Sequence, residues 1–208
     1  LGAELIEQGE DFQAAREHAV RLAGERGAHM VPSFHADLVR GVASYWVEFF
    51  ASFATGEAPE VVFVPIGLGS GICACAAARA HAGVRTRIVG VVSAHAPAYR
   101  LSFEAGRAIE APVSTQLADG MACRVPEPQA LAIIQREVDE IVSVSDDEVA
   151  AAMRAFFADT HNVAEGAGAA PLAALLQQRE RWAGRRVGLS LSGGNVDSAQ
   201  FARVLAAG

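Results

Sequence analysis

The chain has 208 residues, 51% hydrophobic and 20% charged, with a formal charge of −7. That balance suits a folded domain with a sizeable core and excludes an intrinsically disordered chain. A mildly acidic sequence without basic blocks argues against nucleic acid and against an anionic membrane surface as partners, and no apolar run is long enough to span a bilayer.

The pattern along the chain alternates strand and helix. Ala3 to Ile6 is expected as a short apolar strand. Asp11 to Arg26 carries Phe12, Ala15, Ala19 and Leu22 at helical spacing, and Gly27 stops it. His29 to Phe34 reads as extended, interrupted by Pro32, and Leu38 to Phe53 as a second helix rich in aromatics. Val61 to Ile66 is a continuous apolar run, as expected of a strand buried on both faces. Gly67-Leu68-Gly69-Ser70-Gly71 follows, then an alanine-rich helix from Ile72 to His81 and a buried strand from Arg87 to Val92. Ser93 to Glu127 is poorly periodic, with short helical pieces. Gln129 to Val138 predicts a helix, and Glu140 to Val144 a strand. Ser145 with Glu148 fits a capping box for a helix ending near Asp159. Gly168 to Trp182 predicts another helix, Val187 to Leu191 the last strand, and a closing helix follows Ser192-Gly193-Gly194-Asn195. Strands separated by helices predict an α/β fold with a parallel sheet and helices on both faces.

Cys73, Cys75 and Cys123 form no zinc or thioredoxin spacing and read as free thiols of a reducing compartment. The N-terminus shows no signal-peptide pattern. The six histidines are scattered, none in a metal-ligand spacing, and read as surface or capping residues. Every basic residue is arginine, from Arg16 to Arg203, and there is no lysine. A mechanism needing a Schiff-base lysine therefore cannot be complete within this chain.

Pro65-Ile66-Gly67-Leu68-Gly69-Ser70-Gly71 runs a buried strand through spaced glycines into a helix. Glycines let successive N–H groups turn toward one point, the helix N-terminus adds positive character there, and Ser70 can add a hydroxyl. The result is a cup for a phosphate, or a tight turn with no ligand. A dinucleotide fingerprint fails because Ala74 stands where the third glycine belongs, and a P-loop fails for want of lysine. Leu189 to Asn195 again ends a strand in small residues; it reads as a simple turn when taken alone, or as a ligand-binding loop in which Ser192 would share the carboxyl edge of the sheet with the Gly67 loop. Glu165, before the glycine-rich start of a helix, could orient a ring-shaped ligand or serve as a helix cap.

Taken in order, these motifs resemble the pyridoxal-phosphate enzymes that include threonine and serine dehydratases and serine racemase. Leu1-Gly2-Ala3-Glu4-Leu5 looks like that family's LGAEV strand, Val31 to Phe34 like its hPFD stretch, and Gly41 to Glu48 like its GQGTxxxE segment. Gln116 to Gly120 resembles TIADG, and Val144 to Glu148 resembles VSDDE. The likeness runs collinearly along essentially the whole chain. Ser93 to Tyr99, Ser102 to Gly106 and the Gly67–Gly71 loop look most like dehydratases of hydroxyectoine breakdown.

The resemblance implies a fold-type-II architecture, similar to the β subunit of tryptophan synthase, with residues 1–42 a remnant of a small domain and 43–208 an incomplete large domain. It implies pyridoxal 5'-phosphate as cofactor, held by Gly67, Leu68, Gly69, Ser70 and Gly71 at its phosphate and by Ser192 at its ring nitrogen, with Glu165 and Asn195 nearby. The implied reaction takes a threonine- or serine-like β-hydroxy-α-amino acid to a 2-oxo acid and ammonia. A cytoplasmic homodimer is implied as well. The family's Schiff-base lysine and SSGNHG loop would lie upstream of Leu1, so no catalytic residue is expected in this chain and the sheet should show an uncovered edge. Val92 to Tyr99 has no acidic residue, so the divalent-cation site of several members is not expected. Two rival readings remain open: a non-catalytic relative that binds another phosphate ligand or serves in assembly, and a β-replacement synthase with the same cofactor.

Overall fold

A computed structural model of the chain describes residues 2–207, which fall into two compact units, one up to Ser33 and one from Phe34. The first unit is built on helix α1 (Phe12–Arg26). Asp11 starts it by accepting the Ala14 N–H at 2.8 Å, and Gly27 ends it with φ of 61°. The strand expected from Ala3 to Ile6 does not form. A four-residue segment becomes a strand only where a neighbour supplies the other side of the ladder, and among the described residues of this unit there is no strand to pair with it; Leu5 is 81% exposed.

The second unit holds strands β1 (Val61–Pro65), β2 (Arg87–Ser93), β3 (Glu140–Val144) and β4 (Val187–Leu189), all parallel, in the order β3-β2-β1-β4. Its helices are α2 (Ala36–Ala51), α3 (Ser70–Ala82), α4 (Ala98–Ala105), α5 (Pro128–Glu137), α6 (Asp146–Thr160), α7 (Gly166–Gln177) and α8 (Ser198–Ala206). Side chains alternate across a strand, so β1 feeds two cores. Val62 and Val64 pack with Trp46 and Phe50 of α2, Ile72 of α3 and Ile134 of α5. Val61 and Phe63 pack with Met153 of α6, Ala170 of α7 and Val204 of α8. The fold is the expected α/β sheet covered on both faces.

Chain order fixes where this sheet opens. From β1 the chain crosses through α3 to β2 and onward to β3 on one side. The last strand, β4, returns to the other side of β1. The order thus reverses at β1, and ligands of open parallel sheets enter beyond the carboxyl ends of the strands flanking such a reversal. Among the described residues β3 and β4 each have one strand partner, so both outer edges stay open.

Some boundaries differ from those expected. β4 stops at Leu189 although the apolar run continues to Leu191. Ser190 N–H still reaches Phe63 O at 3.4 Å, but the next rung needs an N–H from Pro65, which proline lacks. α7 starts at Gly166 and ends at Gln177 rather than at Trp182. The Gln178 N–H folds back onto Ala174 and Leu175 carbonyls, and Trp182 turns in to meet Phe63 edge-on at 6.3 Å. The capping box of Ser145 and Glu148 forms as read. The poorly periodic stretch contains α4 and a single 3₁₀ turn, Asp119–Met121.

Candidate functional site

At the carboxyl end of β1 the chain leaves through Ile66-Gly67-Leu68-Gly69 and enters α3 at Ser70. Gly69 sits at φ of 99°, and a Cβ there would lie 2.7 Å from Ala130 Cβ, so both backbone shape and packing require glycine. The first backbone bond of α3 is Cys73 N–H to Gly69 O at 3.0 Å. The N–H groups of Gly69, Ser70 and Gly71 therefore find no acceptor among the described residues. A Cβ at Gly71 would meet nothing within 4 Å. Unbonded donors, the positive end of a helix dipole and free space coincide here.

The opposite wall comes from the loop after β4 and the start of α7. Glu165 occupies the N-cap position of α7, yet its side chain makes no bond to that helix. Its carboxylate accepts the Asn195 N–H at 3.2 Å, and its own N–H donates to Gly193 O at 3.1 Å. Glu165 thus clasps the Gly193–Asn195 loop. A Cβ at Gly193 would come 2.5 Å from the Glu165 carboxylate, so the clasp depends on glycine. Ser192 follows β4 and faces the Gly67 loop across the cleft.

A third wall is the segment ending in Gly120 and Met121. Asp146, in the first turn of α6, accepts the Thr115 hydroxyl at 2.7 Å and the Gln116 N–H at 2.7 Å. Thr115 Oγ1 in turn accepts the Ala118 N–H at 3.0 Å. Charge-assisted bonds of this kind hold the loop that presents Gly120 against Gly67.

These walls enclose a cleft of about 350 Å³ lined by Gly67, Leu68, Gly69, Ser70, Gly71, Glu165 and Ser192, with Tyr45 of α2 and Met121. Of the residues expected from sequence, Asn195 alone lies outside the lining, and it touches the site through Glu165. The sequence reading missed Tyr45 and Asp146. Tyr45 lies in the aromatic-rich helix, where no local motif marks it, and the Asp146 contact spans 31 residues with no local pattern to announce it. A larger cleft, about 710 Å³, opens at the amino ends of the strands beside Arg85, Arg186 and His81, and it contains none of the expected residues.

The smaller cleft has Glu165 as its one charged lining group. An anion there would rest on neutral donors and the α3 dipole, as at other helix N-termini. Thiol chemistry is muted: burial pushes the nearby Cys73 up to about 12, so it stays protonated. Among the described residues no three His, Cys, Asp or Glu side chains gather as metal ligands. The cup suits a phosphate, with the Gly69, Ser70 and Gly71 N–H groups unbonded among the described residues and open space beside Gly71, while the Ser192 hydroxyl supplies a neutral hydrogen-bonding group on the other side.

The family model described as pyridoxal-phosphate-dependent enzyme matches residues 1–193. An L-threonine ammonia-lyase of Geobacter sulfurreducens is 38% identical over 199 residues, covering 94% of this chain and 48% of that protein. A phenylserine dehydratase of Ralstonia pickettii is 33% identical over 209 residues, covering 100% of this chain and 63% of that protein. The processed form of threonine deaminase isoform 2 from Solanum lycopersicum superposes with a TM-score of 0.86 at 24% identity, over 98% of this chain and 59% of that one, and shows the shared fold. This chain belongs to the pyridoxal-phosphate-dependent enzyme family and has its type-II fold. It spans about half the length of the curated relatives it matches.

Proposed function

We propose that this chain is the phosphate-cup portion of a pyridoxal-phosphate-dependent ammonia-lyase acting on a threonine- or serine-like β-hydroxy-α-amino acid. The observation that carries the reading is the meeting of Gly67–Gly71, Glu165 and Ser192 in one cleft at the reversal point of the sheet. The relatives' activities, threonine ammonia-lyase and phenylserine dehydratase, support the substrate class. Net, the substrate loses water across Cα and Cβ, and hydrolysis of the resulting enamine returns water and releases a 2-oxo acid and ammonia.

In this reading the N–H groups of Gly69, Ser70 and Gly71 hold the cofactor phosphate, with Gly67 and Leu68 shaping the approach. Ser192 would offer its hydroxyl to the ring nitrogen. Glu165 and Asn195 would support the Ser192–Asn195 loop and so the position of the Ser192 hydroxyl. The bound cofactor supplies an electron sink that acidifies the α-proton of an amino acid. A neutral hydroxyl at the ring nitrogen favours a protonated ring less than a carboxylate would, which suits elimination of a β-hydroxyl as the α-proton leaves. All 17 basic residues here are arginine, so the lysine that this chemistry requires comes from outside these 208 residues.

Residues up to about 42 are read as the end of a small domain, and the rest as most of a large one. The separation into two compact units, Leu1–Ser33 and Phe34–Gly208, supports a reading in two parts. The reading also takes the protein as a cytoplasmic homodimer. Free thiols at Cys73, Cys75 and Cys123 agree with a reducing compartment, and no helix among the described residues is long and apolar enough to cross a membrane.

Gly71→Glu tests the phosphate assignment apart from the fold. The new side chain starts in open space at the second residue of α3, where an acidic group suits the helix dipole, so the melting temperature should hold. Pyridoxal phosphate affinity, read by fluorescence titration, should fall by about tenfold or more through like-charge repulsion. An unchanged affinity would remove the Gly67–Gly71 loop from the account.

A further inference from the structure

One buried side chain reaches the phosphate cup from behind. Tyr99, in the first turn of α4, is 1% exposed, and its hydroxyl lies where the loop after β1, the start of α4 and the start of α5 converge. The hydroxyl donates to Leu68 O at 2.8 Å and accepts the Glu127 N–H at 3.0 Å. Glu127 is the N-cap of α5, and Ala130 of the same helix presses on Gly69. A Cβ at Gly69 would stand 3.4 Å from the Tyr99 oxygen, so the ring also backs the glycine directly.

The consequence follows from the planar trans peptide. Its C=O and N–H point in opposite directions. With the Leu68 carbonyl drawn inward to Tyr99, the Gly69 N–H of that same peptide must point outward, away from the core. The α3 ladder begins at the N-cap carbonyl, Gly69 O, so the Leu68 carbonyl lies outside it and is free to take the tyrosine hydroxyl. Burial, and then the neighbouring Cys123, hold the Tyr99 hydroxyl far above its ordinary range, so it remains a donor at every working pH.

We infer that Tyr99 is a positioning residue that sets the orientation of the phosphate cup, holding the Leu68–Gly69 peptide so that the Gly69 N–H faces an anionic ligand. This rests on the reading of Gly67–Gly71 as a phosphate site. Tyr99 touches neither ligand nor cleft; it acts through the loop. Its loss should therefore weaken ligands in proportion to what they ask of the cup. A phosphate-bearing ligand should suffer, and the same ring without phosphate should not.

The test compares pyridoxal 5'-phosphate, pyridoxal and inorganic phosphate, each titrated into the chain and into Tyr99→Phe. The variant should bind pyridoxal 5'-phosphate and inorganic phosphate about five- to tenfold more weakly, with pyridoxal unchanged. Ser102→Ala, which removes a buried hydroxyl of α4 bonded to Ala98 O and Ile109, supplies a destabilised reference that should keep all three affinities. If Tyr99→Phe does not fold, Glu127→Pro takes its place. Glu127 has φ of −69°, which suits proline, and the change deletes the N–H that orients the tyrosine oxygen. It should shift the same ratio in the same direction by a smaller factor, with Glu127→Ala as the control that keeps the N–H. Equal losses for pyridoxal and its phosphate, or no loss in whichever variant folds, would overturn the positioning role. Failure of the unmodified chain to bind any phosphate-bearing probe would instead sink the phosphate site, and this proposal with it.

Discussion

The site is made of glycines that are not alike, and the differences are testable. Gly193 is pinned because a Cβ there would run into the Glu165 carboxylate at 2.5 Å. Gly71 borders open space. Gly193→Ala must therefore move Glu165 or the loop, breaking the bond from the Asn195 N–H. It should lower stability by about 1–3 kcal/mol in denaturant titrations and weaken pyridoxal phosphate binding. Gly71→Ala should be neutral or stabilising, since alanine is the better helix former by up to about 1 kcal/mol. Equal destabilisation by the two alanines would contradict the assignment of Gly193 as the close-packed one. At this scale the sequence was informative in one way only. Glycine spacing after Pro65 and after Ser192 marked both loops, but nothing in the spacing distinguishes a glycine needed for packing from one that leaves room.

At the scale of elements, what was legible was whatever local chemistry dictates. Apolar runs marked β1 to β3, Asp11 and Gly27 bounded α1, and the Ser145–Glu148 box started α6. What was not legible depended on partners distant in the chain. Ala3–Ile6 has strand composition but no neighbour, and β4 is cut short by a proline on a different strand. The support behind the cup is likewise long-range. Arg79 of α3 meets Glu137 of α5 at 2.9 Å, tying the two helices that flank Gly69. Arg136, with Arg79, holds the Glu137 carboxyl below its usual range. A depressed carboxyl pKa stabilises the fold above the ordinary glutamate range and loses that contribution as pH falls through the lowered value. Glu137→Gln should thus cost about 1 kcal/mol at neutral pH, and the gap to the parent chain should close on acidification below the lowered value. Thermal melts across pH check this; a gap that stays constant would contradict the ion-pair origin.

At the scale of the whole molecule, a sheet order that reverses at β1 is what gathers loops separated by more than a hundred residues into one cleft. Sequence order could propose that the Gly67 loop and Ser192 share an edge. The pairing of β4 beside β1 supplies the reason, because it makes their carboxyl ends adjacent. The same sheet has a second, larger opening at its amino ends, flanked by Arg85, Arg186 and His81. On charge alone an anion would be drawn there; on backbone geometry it would go to the cup. The most direct measurement is therefore a titration of the isotope-labelled chain with inorganic phosphate, followed by backbone amide resonances. Phosphate binding at the cup should give saturable shifts at Gly69, Ser70 and Gly71, with Arg85 and Arg186 little changed. Shifts confined to Arg85 and Arg186, or none at the glycine loop, would contradict it.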